Sequence, residues 1–247
     1  MLIDFELAGP VAKITLNRPE KRNALNNELM SGLFSSLGRA ETARVVTISG
    51  AEPDFCAGMD IELLHRTADA GVMEHIELAQ KLARVYSAIR KHPRPVIALV
   101  KGRALGGGAG IATACDLVLA SESAQIGYPE VKIGFMPAMV MALLRRSVGE
   151  KRAFEVMAMG DPFTARQARK LGIVNHVYSD ETFDADAAAF VAALASRAPS
   201  AVGLTKRLLY HTDGMSFDQA MEAGIEANAM SRMTEDARKG MEKFTKK

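Results

Sequence analysis

The stretch GRALGGGAGIATACD, residues 102–116, sets three consecutive glycines, Gly106 to Gly108, between an apolar run and a segment of small residues. Ahead of it, RPVIALVKG (94–102) has the unbroken apolar pattern of a strand buried on both faces. Behind it, AGIATAC has a helical pattern, and DLVLAS (116–121) predicts a further buried strand. Strand, glycine loop, helix and strand in that order place the chain in the α/β class. Glycines let a backbone approach a ligand closely, or take φ > 0, without a Cβ clash. A helix starting there aims unpaired N–H groups and the positive end of its dipole at whatever lies in front. On the glycines alone two readings stand side by side. One is a site for a negative oxygen; the other is a tight strand-to-helix turn that lets the helix bury itself.

A dinucleotide loop is excluded by the residues themselves. Gly-x-Gly-x-x-Gly starting at Gly106 requires Gly or Ala at 111, which is Ile; starting at Gly108 it requires one at 113, which is Thr. No Gly-x-x-x-x-Gly-Lys-Ser/Thr exists either, so a P-loop is unsupported. A second loop, DFCAGMDI (54–61), repeats the arrangement: it comes after the buried strand RVVTISG (44–50), places a glycine before a turn and leads into a helix. Two such loops, each offering a backbone N–H, form a two-donor oxyanion hole when they converge on one carbonyl oxygen.

Outward from these loops, residues 2–8 and 11–17 predict a hairpin about Gly9-Pro10, and Asn26 caps a helix over about 27–38. Helical pattern starts at Ile61 and again over 72–91. After AQIGYPEVKIGF the chain turns mainly helical from Ala138, with a short strand at GIVNHV (172–177). Beyond Glu181 only helices are expected, over about 182–197, 200–211, 216–232 and 234–244. The organisation predicted is an α/β core over 1–190 and a C-terminal helical region over 191–247, which covers the core or packs on a neighbouring subunit.

Composition narrows the function. At 247 residues the chain can bury roughly three-quarters of its unfolded surface, so it needs no covalent staples. A balance of 31 basic against 29 acidic residues gives no support for a nucleic-acid partner. Cys56 and Cys115 sit in apolar runs outside any CxxC pattern and are expected as reduced core residues. The N-terminal MLIDFELAGPVAKITL is not a signal peptide, and no run of eighteen apolar residues occurs, so the expectation is a cytoplasmic protein with no membrane partner. His75, His92, His176 and His211 lack metal-ligand spacing, and no metal site is expected. RKHPRP (90–95) is expected as a solvated helix end, and Asp60 and Asp116 as capping or backbone-bonding residues.

Four segments, NRPEKRNALN, DFCAGMDI, KGRALGGGAGIATACDLVLAS and IGYPEVKIGFMP, resemble in order and spacing those of the enoyl-CoA hydratase/isomerase, or crotonase, family. DPFTARQARKLGIVNHV (161–177) resembles the segment with which its members leave the core. The resemblance implies a crotonase-like core of repeated ββα units with a C-terminal helical region, assembled as a homotrimer or dimer of trimers. It implies acyl-CoA thioesters as substrates, as in fatty-acid metabolism, with no bound cofactor because CoA arrives as part of the substrate. The N–H groups of Met59 and Gly107 would then hold the thioester oxygen, with Gly106 beside them. Lys21, Arg22, Ala24 and Leu25 would lie along CoA, Ala57 and Ile61 would line the same channel, and Lys243 or a neighbour would reach the CoA phosphates from another subunit.

Hydratases of the family carry two glutamates at the reacting carbons. One of the two positions is Glu130; the other, three residues after Gly107, is Gly110. GGGAG with PEVKIGFMPA also resembles a hydratase branch that has glycine there. Hydration of a 2-enoyl-CoA to a 3-hydroxyacyl-CoA is therefore the first expectation. A 3-enoyl-CoA to 2-enoyl-CoA isomerase using one Glu is the second, and a non-catalytic acyl-CoA-binding scaffold is the rival of another class. His65 and Tyr128 are candidates for the acyl pocket, Tyr128 also for orienting Glu130 or for packing. Met136, Met139 and Met141 suit an adaptable apolar pocket or plain core filling.

Overall fold

The computed structural model describes the backbone of residues 1–245 and the side chains of residues 1–242. Strands β1 (Ile3–Ala8) and β2 (Val11–Leu16) form the expected hairpin, turned by Gly9 at φ 57°. Every later pairing in the main sheet is parallel, so each needs a crossover. With β3 (Val45–Gly50), β4 (Val96–Val100), β6 (Leu117–Ser121) and β9 (His176–Tyr178) the order is β1-β2-β3-β4-β6-β9.

Side chains alternate across this sheet as strand geometry requires. Ile14, Leu16, Val46, Ile48, Val96 and Ala98 point into the larger core. The helices over that face include α1 (Asn27–Arg39), α3 (Val72–Lys91) and α4 (Gly107–Ala114), and the six-residue α2 (Ile61–Arg66) precedes α3. Val45, Ile97 and Leu119 face the opposite way, onto the helix Phe183–Ala195. That helix presents Phe183, Ala187, Val191 and Ala195, one residue per turn, which is the stripe a covering helix needs.

A second sheet escapes the sequence pattern because its strands are only two or three residues long. It runs β5 (Arg103–Leu105), β7 (Gln125–Gly127), β8 (Phe163–Thr164). The strand expected over 94–102 stops at Val100; Gly102, at φ 58°, turns the chain into β5 instead. The strand expected over 172–177 also shifts, because Gly172 takes a left-handed conformation to end the helix Ala165–Leu171. Ile173 and Val174 are then buried as loop residues, and pairing begins at His176.

After β7 come α5 (Ala138–Ser147), α6 (Glu150–Met159), α7 (Ala165–Leu171) and α8 (Phe183–Ala195). The chain ends in α9 (Pro199–His211), α10 (Phe217–Arg232) and α11 (Glu235–Thr245). Among the described residues no single helix is long and apolar enough to cross a membrane.

RKHPRP ends α3 as expected, but only Lys91 and Pro93 in it are exposed. Arg90 stacks on Tyr210 at 3.5 Å, His92 is buried against the carbonyl of Leu37, and Lys206 of α9 donates to the carbonyls of Ile89 and Arg94. Lys206 also pairs with Asp116 at 2.7 Å, and Asp116 accepts from Tyr210 at 2.5 Å and from the Val96 N–H at 2.6 Å. Asp116 thus bonds backbone, as its position suggested, and anchors the C-terminal helices as well. Burial pulls the Lys206 ammonium below its usual range, against the opposing charge of Asp116. Removing one member of such a pair strands the other charge. Lys206→Ala is therefore expected to destabilise the protein by about 3–5 kcal/mol, read from the shift of a denaturant unfolding midpoint.

Candidate active site

Cys56 in the 54–60 loop pairs with Ala104 of β5: its N–H donates to Arg103 at 3.0 Å, and its carbonyl accepts from Leu105 at 2.9 Å. The two loops of interest are therefore laced side by side. A Cβ on Gly108 would lie 2.4 Å from the Cys56 carbonyl oxygen, so only glycine permits this approach.

Leu25 brackets Met59 on the other edge. The Leu25 N–H donates to Gly58 at 2.7 Å and its carbonyl accepts from Asp60 at 3.0 Å. In a parallel bridge that geometry leaves the N–H of Met59 pointing away from Leu25. Gly107 is the first residue of α4, where N–H groups have no partner within the helix. The Met59 side chain reaches Gly107, its Cγ 3.8 Å from the position of a Gly107 Cβ. Two such donors, one of them at a helix N-terminus, can hold an oxygen that gains negative charge.

The small sheet delivers the third group. Leu105 pairs with Gly127, and the Gly106 N–H donates to the Gly127 carbonyl at 2.9 Å. Gly106 (φ 50°) and Tyr128-Pro129-Glu130 leave these adjacent strand ends together. Glu130 Oε1 consequently sits 3.2 Å from where a Gly106 Cβ would be. Its Oε2 is buried and meets no donor among the described residues. Burial raises the Glu130 carboxyl above its ordinary range, partly offset by its own backbone N–H.

These groups face a cavity of about 600 Å³. Ala57, Met59, Ile61, Gly106, Gly107 and Glu130, all singled out from sequence, line it, as do Met136 and Met139. Leu64, Leu78, Leu82, Ile133, Phe135 and Val140 give it a largely apolar wall.

Other candidates lie elsewhere. His65 is exposed on α2 and does not border the cavity; His75, from α3, does. Tyr128 is fully buried behind the site, with its hydroxyl 2.7 Å from that of Thr113, which is its packing role. Lys21 and Arg22 are exposed on the turn before Leu25, Lys21 pairing with Glu62. Ala24 and Leu25 come next, and Leu25 packs beneath Gly107, 3.0 Å from its would-be Cβ. Met141 is exposed outside the cavity. The side chain of Lys243 lies outside the described residues.

The sequence reading passed over Asn23 and Tyr86. Asn23, at φ 56° and wholly buried, donates to the carbonyls of Ala51 and Asp54 and accepts from the Arg18 N–H. Arg18 in turn pairs with Asp60 at 2.6 Å, and Asp60 caps α2 through the Glu62 N–H. Asp54 accepts three bonds from Arg103. Burial works to raise the carboxyls of Asp54 and Asp60, but their arginine partners overcome it and hold both below the usual range. Tyr86, from α3, borders the cavity above Gly110.

The enoyl-CoA hydratase/isomerase family model matches residues 6–247. A Thermus thermophilus protein named "Putative enoyl-CoA hydratase" is 38% identical over 97% of this chain and 96% of its own length. The 2,3-dehydroadipyl-CoA hydratase of Escherichia coli K12 is 31% identical over 96% of this chain and 92% of its own. The crystal structure of a Mycobacterium smegmatis enoyl-CoA hydratase superposes with a TM-score of 0.95, at 28% identity, over 100% of this chain and 96% of that one.

Two consequences can be measured. A Cβ at 110 would lie 2.1 Å from Tyr86 Oη, so Gly110→Ala is expected to cost about 1–3 kcal/mol of stability by overpacking, seen as a lowered unfolding midpoint. Glu130, with its pKa raised on folding, binds its proton more tightly in the folded state. The stability this contributes is complete below the ordinary carboxyl value of 4.5 and is lost as pH rises through the folded value. Glu130→Gln should therefore melt higher than the wild type at pH 8, with the gap closing toward pH 4 in paired thermal scans.

Proposed function

Since the chain belongs to the enoyl-CoA hydratase/isomerase family of enzymes, we propose that it hydrates a 2-enoyl-CoA thioester to a 3-hydroxyacyl-CoA. The N–H groups of Met59 and Gly107 hold the thioester oxygen, and Glu130 moves the proton. The observation that carries this reading is the unpartnered, buried Oε2 of Glu130 in a largely apolar cavity, beside the start of α4 where backbone N–H groups have no partner within the helix.

Holding the thioester oxygen in its negative form stabilises the enolate that arises when a nucleophile adds to Cβ or a proton leaves the chain. Losing one such donor costs about 3–4 kcal/mol of barrier. Glu130 supplies the proton transfer. As a carboxylate it takes a proton from water while the oxygen adds to Cβ; as the acid it returns that proton to Cα. A carboxyl whose pKa is raised by burial is a stronger base in its ionised form, which suits it to taking a proton from water. The lining offers the acyl chain mainly hydrocarbon and thioether contacts.

A second reading rests on a specific feature: among the described residues that line the cavity, Glu130 is the one carboxylate. One carboxylate suffices to carry a proton between the two ends of an allylic system, converting 3-enoyl-CoA to 2-enoyl-CoA. For assembly, Phe217, Met221 and Ile225 form an exposed apolar stripe along α10, which supports association of copies as a homotrimer or dimer of trimers.

Incubation in H₂¹⁸O separates the two reactions. Hydration of 2-enoyl-CoA adds one labelled oxygen, two mass units above the unlabelled hydrate, whereas isomerisation of 3-enoyl-CoA adds none. The labelled product is expected, and its absence together with double-bond migration overturns the hydratase reading. Glu130→Gln is expected to lower kcat by roughly 10²–10⁴ while leaving the Kd of a non-reacting acyl-CoA within a few-fold, by calorimetric titration.

A further inference from the structure

Resting on the hydratase reading, we propose that the Tyr86 hydroxyl holds the attacking water, taking its hydrogen bond while Glu130 takes its proton. Tyr86 borders the cavity although the residue is only 5% exposed. The hydroxyl donates to the Gly107 carbonyl at 3.0 Å. Its single proton is committed there, which leaves the oxygen lone pairs as acceptors.

The position is specific. Tyr86 Oη stands 2.1 Å from the would-be Cβ of Gly110, and Glu130 Oε1 stands 3.2 Å from that of Gly106. Gly106 and Gly110 are joined by the first hydrogen bond of α4, Gly110 N–H to Gly106 O at 2.9 Å. Two polar oxygens from different elements therefore lie along the first turn of one helix, on either side of Gly107. Burial, with Glu130 nearby, pushes the phenol well above the usual tyrosine range. It stays a neutral phenol at working pH and does not compete with Glu130 as base.

The step balances without a further reagent. One water O–H points to Tyr86 and stays intact; the other gives its proton to the Glu130 carboxylate as the oxygen bonds to Cβ. The π electrons of the Cα–Cβ bond pass to the thioester, whose oxygen becomes negative at Met59 and Gly107. Glu130 then returns the proton to Cα, and the thioester carbonyl reforms. Tyr86 ends as it began.

The test uses Tyr86→Phe, which keeps the ring in place and removes only the hydroxyl. Two rates are read on the full-length protein. One is hydration of crotonyl-CoA; the other is deuterium uptake at Cα of butyryl-CoA in D₂O, which needs the two N–H donors and Glu130 but no added water. Hydration kcat is expected to fall roughly tenfold, about the effect of one hydrogen bond, with deuterium uptake within twofold of wild type. Unchanged hydration overturns the assignment of Tyr86 alone. A parallel fall in both rates also overturns it, since Tyr86 would then act through the Gly107 backbone. A wild type that exchanges Cα deuterium but adds no water overturns the hydratase reading as well.

Discussion

Gly108 lies against Cys56 so closely that a Cβ there would fall 2.4 Å from the Cys56 carbonyl and 2.6 Å from its Cβ. This contact sets the distance between the end of β5 and the 54–60 loop, and the rest of the site inherits it. Backbone bonds between Cys56 and residues 103 and 105 run alongside, so the two loops are held as one short ladder. The segments that carry Met59 and Gly107 are thereby held against one another. A preorganised pair of dipoles acts without reorganising at the moment of reaction, and that requires a rigid mount. The mount here is backbone on backbone, with no long side chain to relax.

The carboxylates around the site divide by what they meet. Asp54, Asp60 and Asp116 are each answered by a cation: Arg103, Arg18 and Lys206. Each of the three also accepts from backbone, and those bonds fix loops and helix ends in place. Glu130 has no cation partner in the ion pairs around it, and one oxygen is buried without a donor. A buried carboxyl left unanswered costs stability. The fold tolerates that cost at a residue lining the cavity, and costs of this kind are commonly kept where function requires them.

Much of this was legible in sequence, and the failures have definite causes. Long periodic elements announced themselves: α3 runs over the 72–91 pattern, and Asn26 caps α1 through the Leu29 N–H. The three short strands of the second sheet did not, because two or three residues carry no periodicity. That sheet aligns Glu130 with Gly106, so the placement of Glu130 rested on a motif. His65 and His75 exchanged roles because α2 has only six residues, too few for its apolar spacing to fix which face turns toward the cavity. Tyr86 was hidden in plain pattern. With Leu82, Val85 and Ile89 it completes an i, i+3, i+4, i+7 core stripe, and nothing local distinguishes a phenol bound for the core from one bound for a cavity. Only the approach of α3 to Gly110 makes the difference, and that is a property of the fold.

That approach has its own supports. α3 touches α4 through Tyr86, whose hydroxyl donates to Gly107, and it touches the C-terminal helices one turn later. Ile89, three residues on, gives its carbonyl to Lys206 of α9, and Arg90 stacks on Tyr210 of the same helix. Both partners on α9 also bind Asp116, which grips the N–H of Val96 at the start of β4. The depth to which Tyr86 reaches toward Gly110 is thus fixed from two ends, by the glycine surface of α4 and by the docking of α9. A methyl group at 110 would press on the first support, and loss of Lys206 would release the second. The C-terminal helices, whose described side chains are absent from the cavity lining, hold in register the helix that carries one of its walls.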